Sequence, residues 1–333
     1  MLRLLAILLA LAASSPDDSP LMQPVATIPL DGVEGRFDHF GADVANKRLY
    51  VAALGNNTVE VIDLATNQRA GTIKGLKKPT GIRVLPDSGN VVVAGGDDGK
   101  VRVFDAKLKL LGTIDHLDDA DNVRLDSAGK LAYVGYGDGA IAIIDPQRLA
   151  KVGEVKLDGH PEAFQLESLG NRIFVNVPTA KHVAVIDREK QAVIATWPIR
   201  DAEANFSMAL DEANHRLFIG CRKPAKVLVI DTESGKAVSS IDCCGDADDL
   251  FYDATAKRTY VSGGAGSVSV IAQDDVDHYR LLGDLPTAPG ARTSLYVPEI
   301  GLLYVAVPHR EKQRAELRIF RPTPPRTAAP AGP

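Results

Sequence analysis

Two short acidic stretches place carboxylates directly before an apolar run. Residues 119–122 read Asp-Ala-Asp-Asn, and residues 246–249 read Asp-Ala-Asp-Asp. Grouped carboxylates bind cations or divalent metals, and neighbouring charges can shift their pKa values toward acid–base work. Asp38 and His39 add an adjacent acid–imidazole pair, in which the histidine is a natural general base. Whether these residues act together depends on the elements that hold them.

No complete catalytic motif accompanies these residues. The sequence lacks H-E-x-x-H, C-x-x-C, the EF-hand loop, G-x-S-x-G and C-x-x-C-H. It therefore gives no indication of a zinc-protease helix, an α/β-hydrolase nucleophile or covalent haem. The glycine clusters at residues 135–139 and 263–264 are not followed by a helix pattern, so they predict hairpin turns and not phosphate loops.

The three cysteines leave alternatives open. Cys221 ends a predicted strand, and Cys243 and Cys244 follow an outer strand of the same repeat. A disulfide between Cys221 and one of the pair and three free thiols are both compatible with this order, and a strained vicinal bridge is a rarer alternative. Capture of a soft metal by the vicinal pair is a further alternative.

A repeat of about 42 residues organises the chain. Its anchor is the start of the strand Arg48-Leu49-Tyr50-Val51. Equivalent anchors fall at Asn90, Leu131, Arg172, Arg216, Arg258 and Leu302. A sustained period of this length indicates a repeat architecture and not a series of separate domains.

Each repeat predicts four strands joined by tight turns. The turns at Asn56-Asn57, Asp97-Asp98-Gly99 and Asp138-Gly139 favour the positive φ angles of hairpins. Four short strands at this period are typical of a propeller blade, so seven anchors predict an all-β, seven-bladed β-propeller with four-stranded blades. The last repeat is one strand short, and residues 24–32 match the outer strands. We expect the N-terminal strand to close blade seven and to remove exposed sheet edges.

The residues 47–73, "KRLYVAALGNNTVEVIDLATNQRAGTI", resemble the YVTN-repeat β-propellers, with a Tyr-Val strand, an Asn-Thr hairpin and a Val-Ile-Asp strand. The resemblance recurs in "HVAVIDREKQAVIATWPI" and "KVLVIDTESGKAVSSI" and extends over nearly all of residues 24–322. It implies the fold. It does not specify an activity, because one fold carries many functions.

The resemblance also implies where the acidic stretches lie. In a propeller the innermost strand of each blade starts beside the central channel, so the four residues before its apolar core form one ring. The windows, which lie twelve to nine positions before each anchor, read RFDH, KPTG, DADN, HPEA, ANFS, DADD and GART. They contain seven carboxylates and three cations, of which Lys78 is one. The candidate ligand-binding residues are Arg36, Asp38, His39, Asp119, Asp121, Asn122, His160, Glu162, Asp246, Asp248, Asp249, Arg292 and Thr293.

Two interpretations of this ring compete. Aspartates at strand starts often accept backbone N–H bonds in turns. This capping role would account for about half of the aspartates in the ring. Crowding argues against that role for all of them, because like charges near one axis repel unless a cation offsets them. Arg292 either neutralises the acids or orients the anionic end of a ligand. A divalent metal ion is one alternative, held by Asp38, His39, Asp248 and Asp249.

The ends and the composition suggest export. Residues 1–13 carry Arg3 and a ten-residue apolar run from Leu4 to Ala13, which predicts a signal peptide too short to span a membrane. Residues 14–23 predict a flexible linker, and the Pro/Ala-rich residues 323–333 predict a disordered tail. A net charge of -5 argues against a generic nucleic-acid binder. We expect a periplasmic or extracellular monomer without a membrane span after signal cleavage.

Two classes of function remain open from the sequence. The first is an exported binding protein whose channel-mouth face takes a small ligand, a cation or a protein partner. The second is a metal-assisted hydrolase or isomerase, lactonase-like by analogy of fold alone, in which carboxylates hold a metal that polarises a carbonyl. The rich polar ring without a complete catalytic motif favours the first.

Overall fold

The structure is a computed structural model that describes residues 20–324. The first strands in chain order are β1 (Met22–Pro29), β2 (Phe40–Asp43), β3 (Arg48–Ala53), β4 (Thr58–Asp63), β5 (Gln68–Ile73), β6 (Pro79–Val84), β7 (Val91–Gly95), β8 (Lys100–Phe104), β9 (Leu110–Ile114), β10 (Val123–Leu125), β11 (Ala132–Tyr136), β12 (Ala140–Asp145), β13 (Ala150–Lys156) and β14 (Phe164–Leu166). They are followed by β15 (Arg172–Val177), β16 (His182–Asp187), β17 (Ala192–Pro198), β18 (Glu203–Asp211), β19 (Arg216–Lys223), β20 (Ala225–Asp231), β21 (Ala237–Asp242), β22 (Ala247–Asp253), β23 (Arg258–Gly263), β24 (Ser267–Gln273), β25 (Tyr279–Pro286), β26 (Ser294–Val297), β27 (Leu302–Val307) and β28 (Glu316–Pro322). The helices within these residues are three 3₁₀ turns, Leu54–Asn56, Pro178–Ala180 and Glu212–Asn214.

These strands form seven four-stranded antiparallel sheets, which are the blades. Blades 1 to 6 take consecutive strands from β2 to β25, and blade 7 has the order β1-β28-β27-β26. The first strand of each blade contacts the first strand of the next, and β26 contacts β2, so the blades close into a ring around the channel. The predicted seven-bladed, all-β propeller is confirmed. Each anchor starts the second strand of its blade to within one residue.

Closure by the N-terminal strand is also confirmed. β1 pairs with β28 from Met22 opposite Pro322 to Pro29 opposite Glu316. The strand begins at Met22, two residues earlier than predicted, because Met22 is buried against blades 6 and 7. The predicted linker therefore cannot extend to residue 23. The predicted signal peptide and most of the predicted linker and tail lie outside the described residues.

Burial follows the layering of the blades. All of Leu49 to Ala53 in β3 are fully buried, since neighbouring blades cover both faces of the inner strands. The outer strand β5 is mostly exposed. The Asp that ends the Val-Ile-Asp strand caps the following hairpin: Asp63 Oδ1 accepts the N–H groups of Ala65 and Thr66 at 2.7 and 2.9 Å. That turn chemistry explains why the motif recurs.

Candidate ligand-binding site

The windows before the inner strands surround one cavity at the mouth of the channel. The cavity encloses about 250 Å³. The residue ten positions before each anchor lines it in all seven blades, and these residues are Asp38, Thr80, Asp121, Glu162, Phe206, Asp248 and Arg292. The remaining lining residues are Arg36, His39, Lys78, Asp119, Asn122, His160, Ala163 and Arg222. We call this space the mouth cavity.

Three of the thirteen sequence-predicted site residues do not line the mouth cavity. Asp246 forms an ion pair with Arg292 at 2.9 Å. Asp249 Oδ2 accepts the backbone N–H of Ser294 at 2.8 Å, which is the turn role that sequence reasoning allowed for part of the ring. Thr293 is buried, and its carbonyl accepts the N–H of Ala306. The other ten residues do meet at the cavity.

The geometry explains why Asp-Ala-Asp is written twice. Asp119 and Asp246 have φ angles of 47° and 58°, in the left-handed region that aspartate tolerates better than most residues. The following residues, Ala120 and Ala247, are fully buried, so a small side chain is needed there. The second aspartates line the cavity. The first aspartate of each stretch is thus explained by its left-handed backbone conformation, and the second by its position in the cavity lining.

His39 lies among three carboxylates. Its Nε2 is 3.6 Å from Asp121 Oδ1 and 3.9 Å from Asp38 Oδ1, and its Nδ1 is 3.7 Å from Asp249 Oδ1. Although burial opposes a charged ring, these acids hold the pKa of His39 well above its usual value. Burial also favours neutral Asp121, but the hydrogen bond and charge of His39 hold the pKa of Asp121 below its usual value.

Asn122 favours the form of His39 that carries no proton on Nε2, in contrast to the three carboxylates. Arg124 Nη1 donates to Asn122 Oδ1 at 2.6 Å, and a guanidinium can only donate, so this contact fixes which end of the amide is oxygen. Asn122 Nδ2 must then donate to His39 Nε2, which lies 2.8 Å away. Nε2 can accept that bond only when it carries no proton. Protonation of Nε2 therefore requires the Asn122 amide to break one of its two contacts.

Asp38 and Glu162 line the cavity without a lysine or arginine partner at ion-pair distance among residues 20–324. Burial raises the pKa of Asp38 to about 8; His39 opposes the rise, and the carboxylates of Asp121 and Asp248 add to it. Burial likewise raises the pKa of Glu162 to about 8, again with Asp121 and Asp248 contributing. Both carboxyls therefore keep their protons to a higher pH than an ordinary carboxyl does, and a cation bound beside them would favour loss of those protons.

Arg222 is a site residue that sequence reasoning missed. It lies near the end of β19, and it forms ion pairs with Asp246 at 3.4 Å and with Asp248. Arg292 joins the same two acids, with its Nε 3.2 Å from Asp248. The guanidinium of Arg222 lies 3.6 Å from the centre of the Phe206 ring. The four-residue sequence windows covered only the residues before each first strand. Arg222 could have been found by also considering the hairpins that open on the same face of the propeller.

The structure gathers a different set of metal-ligating atoms from the predicted one. Asp38, His39 and Asp121 offer atoms within 4.8 Å of one another. Asp248 is instead held by two arginines, and Asp249 faces the other ring nitrogen of His39. A metal on Nε2 would also need the lone pair that Asn122 now occupies. The donor types suit a divalent cation, but binding one requires Asn122 to move.

The three cysteines are free thiols, as one of the sequence alternatives has it. Cys221 and Cys244 are buried, and Cys243 is half-buried. Burial raises the pKa of Cys221 to about 12, whereas hydrogen bonds from Cys243 and Ser269 lower that of Cys244 to about 7. None of the three lines the mouth cavity.

Within residues 20–324, no helix has both the length and the apolar character needed to cross a bilayer.

The chain matches known proteins only at low identity. It is 23% identical to the uncharacterized protein YncE of Salmonella typhimurium over 261 residues, which cover 72% of this chain and 73% of the relative, and YncE of Salmonella typhi matches to the same extent. No protein-family model matches the chain. A chain of hydrazine synthase from Kuenenia stuttgartiensis superposes with a TM-score of 0.72 at 18% identity, over 83% of this chain and 95% of that one. A chain of the mitotic checkpoint complex gives 0.77 at 16% identity, over 96% and 98%. At these identities the solved structures show the fold alone.

Proposed function

We propose that this chain is an exported propeller of the YVTN-repeat type that binds a small ligand with a cationic group in the mouth cavity. The observation that carries the proposal is the pair of carboxyls of Asp38, which is buried, and Glu162, which is half-buried; both line the cavity without a lysine or arginine ion-pair partner among residues 20–324. Buried acids of this kind cost free energy when ionised, and a bound cation removes that cost.

The size and the rim of the cavity narrow the ligand further. Drug-sized ligands occupy pockets of roughly 300–1,000 Å³. A cavity of about 250 Å³ therefore favours a smaller molecule. Arg36 is exposed at the cavity and forms no ion pair in the described part of the chain, so it is free to meet an anionic group. A small zwitterion, with its amine toward Asp38 and Glu162, satisfies both ends.

Isothermal titration calorimetry with a panel of free amino acids and short diamines at pH 7 tests this function. Titrations in phosphate and in Tris separate the proton release from the heat of binding. We expect the bound amine to release about one to two protons, because it ionises Asp38 and Glu162. Asp38→Asn and Glu162→Gln should each weaken binding at least tenfold and reduce the proton release.

Asp138→Asn is the matched control, since Asp138 is an exposed hairpin carboxylate outside the cavity lining. It should bind like the parent protein. Binding that is unchanged in both Asp38→Asn and Glu162→Gln, or that releases no protons, would contradict the assignment of these two acids.

The cluster of Asp38, His39 and Asp121 favours a second candidate, a divalent-metal site that supports hydrolysis or isomerisation. Calorimetric titration with Ca²⁺, Mn²⁺ and Zn²⁺ tests it. The Asn122 amide competes for Nε2, so Asn122→Ala should strengthen metal binding if this candidate is correct. A metal affinity that Asp121→Asn leaves unchanged would exclude this cluster as the site.

A further inference from the structure

The hairpin between β27 and β28 in blade 7 is much longer than its equivalents. It spans residues 308–315, whereas the hairpin between the second and third strands of every other blade has one to four residues. A tight turn is enough to join two antiparallel strands, so the additional residues are not needed for the connection. In repeat proteins, insertions of this kind lie in loops of one face, which is often the binding face. We call residues 308–315 the blade 7 hairpin.

The blade 7 hairpin is basic and its charges are exposed. Its three cations are Arg310, Lys312 and Arg314, and its one acid is Glu311. All four side chains are exposed, and none of the three cations forms an ion pair within residues 20–324. The equivalent hairpins of blades 2 and 3 carry aspartates instead, at residues 97–98 and 138. The face that carries the mouth cavity is therefore positive at blade 7 and negative at blades 2 and 3.

Hydrogen bonds tie the blade 7 hairpin to its surroundings. Arg310 and Gln313 exchange backbone N–H···O bonds of 3.0 and 2.8 Å. Gln313 Nε2 donates to the carbonyl of Pro289 at 3.1 Å, in the loop that enters blade 7. His309 Nδ1 lies 2.7 Å from Glu34 Oε2, which joins the hairpin to the loop that enters blade 1. A loop held in this way loses less conformational entropy when it binds a partner.

Arg310 lies beside the mouth, where other blades place a side chain of their own. Gly290 is the first of the four residues before the inner strand of blade 7, and its equivalent in blade 1 is Arg36. A Cβ atom on Gly290 would lie only 2.6 Å from the guanidinium carbon of Arg310, so the glycine leaves room for that group. Arg36 is also exposed and forms no ion pair among the described residues. The positive charge of the hairpin thus continues to the rim of the mouth.

We propose that the blade 7 hairpin is the docking site for an acidic segment of a protein partner. Three exposed cations within five residues of an ordered loop match successive carboxylates of an extended peptide. A membrane surface fits less well, because binding to anionic lipids takes about four to eight clustered cations. A nucleic acid also fits less well, since the hairpin has no phenylalanine, tyrosine or tryptophan on which bases could stack. No hairpin residue lines the mouth cavity, so the site does not depend on the ligand proposed there.

Fluorescence anisotropy of a labelled octaglutamate peptide, titrated with the full chain in about 20 mM salt, tests this site. The triple variant Arg310→Gln/Lys312→Gln/Arg314→Gln should weaken binding by about tenfold or more, because it removes all three cations. Salt at about 300 mM should weaken binding to the parent protein as well, since exposed charges are screened. An octaserine peptide should not bind.

The matched control is Lys107→Gln/Lys109→Gln/Lys130→Gln, which removes three exposed cations from the opposite face and should bind like the parent protein. A parent protein that does not bind octaglutamate, or a triple hairpin variant that binds as tightly as the control, would overturn the proposal. So would hairpin-dependent binding of oligothymidylate or of phosphatidylserine vesicles that is tighter than binding of the peptide. If the triple hairpin variant does not fold, Lys312→Gln/Arg314→Gln decides: weaker binding than the control supports the site, and equal binding overturns it.

Discussion

The carboxylates of the mouth cavity differ in what neutralises them. Asp248 is held by Arg222 and Arg292, and Asp121 lies beside His39. Asp38 and Glu162 lack such a cation, and burial raises the pKa values of both to about 8. Removing a paired charge leaves its partners uncompensated, whereas removing an unpaired one relieves a cost. The two groups of acids should therefore respond oppositely to substitution.

Asp248→Asn and Glu162→Gln test this contrast. Asp248→Asn should lower the free energy of unfolding by about 1–3 kcal/mol at pH 8, because Arg222 and Arg292 lose one carboxylate each. Glu162→Gln should leave it unchanged or raise it at the same pH. Urea denaturation of the unliganded protein measures both. A Glu162→Gln variant as unstable as Asp248→Asn would show that Glu162 is structural.

The raised pKa values also predict how stability varies with pH. Folded Asp38 and Glu162 keep their protons up to about pH 8, whereas the unfolded chain loses them near pH 4. The unfolded state therefore binds fewer protons between these values, and stability falls as pH rises through this window. Each group contributes at most about 1.4 kcal/mol per pH unit.

The test is urea denaturation between pH 5 and pH 8. In the parent protein the free energy of unfolding should decrease across this range, and the double variant Asp38→Asn/Glu162→Gln should flatten the decrease. A slope that is the same in both proteins would mean that other groups cause it.

The entry to each inner strand combines two requirements in four residues. Its first position is left-handed in five blades, at Lys78, Asp119, Ala204, Asp246 and Gly290. Its third position lines the mouth cavity in every blade. The strand geometry thus brings the same position of every blade to the mouth cavity, and the residue type at that position differs from blade to blade.

Strand β1 closes the ring, and we expect the buried side chains of this strand to contribute most of the stability that closure provides. Ile28 is 2% exposed and packs between blades 7 and 1, whereas Val25 of the same strand is 45% exposed. Ile28→Ala should cost about 2–4 kcal/mol, and Val25→Ala less than about 0.5 kcal/mol. Deletion of residues 14–32 should cost more than either, since it unpairs β28. Thermal and urea unfolding measure these differences.

Equal stability of the parent and the deletion protein would contradict closure by β1. Equal losses in Ile28→Ala and Val25→Ala would show that β1 does not pack as the structure has it.

Across the whole molecule, the site is closer to neutral than the sequence windows indicate. The windows contain seven carboxylates and three cations. The structure adds Arg222 at the cavity, where it pairs with Asp246 and Asp248. The excess of acid is therefore confined to Asp38 and Glu162.

The sequence by itself determined the blades, their number and their closure. The evidence for them is local: the anchors, the Val-Ile-Asp turns and the strand that the last repeat lacks. These features can be recognised in the sequence because hairpin geometry depends on residues that are close in the chain. It also identified ten of the residues that line the mouth cavity.

Only the tertiary structure decided which of those residues neutralise one another. Arg222 comes from a different hairpin, Arg124 comes from a strand interior, and His39 meets Asn122 across 83 positions of the chain. The protonation of Asp38 and Glu162 depends on burial and on charges from other blades. Coulomb energies depend on the distances between charged groups, and desolvation energies depend on their burial. Residues of different blades reach these distances only when the ring of blades closes.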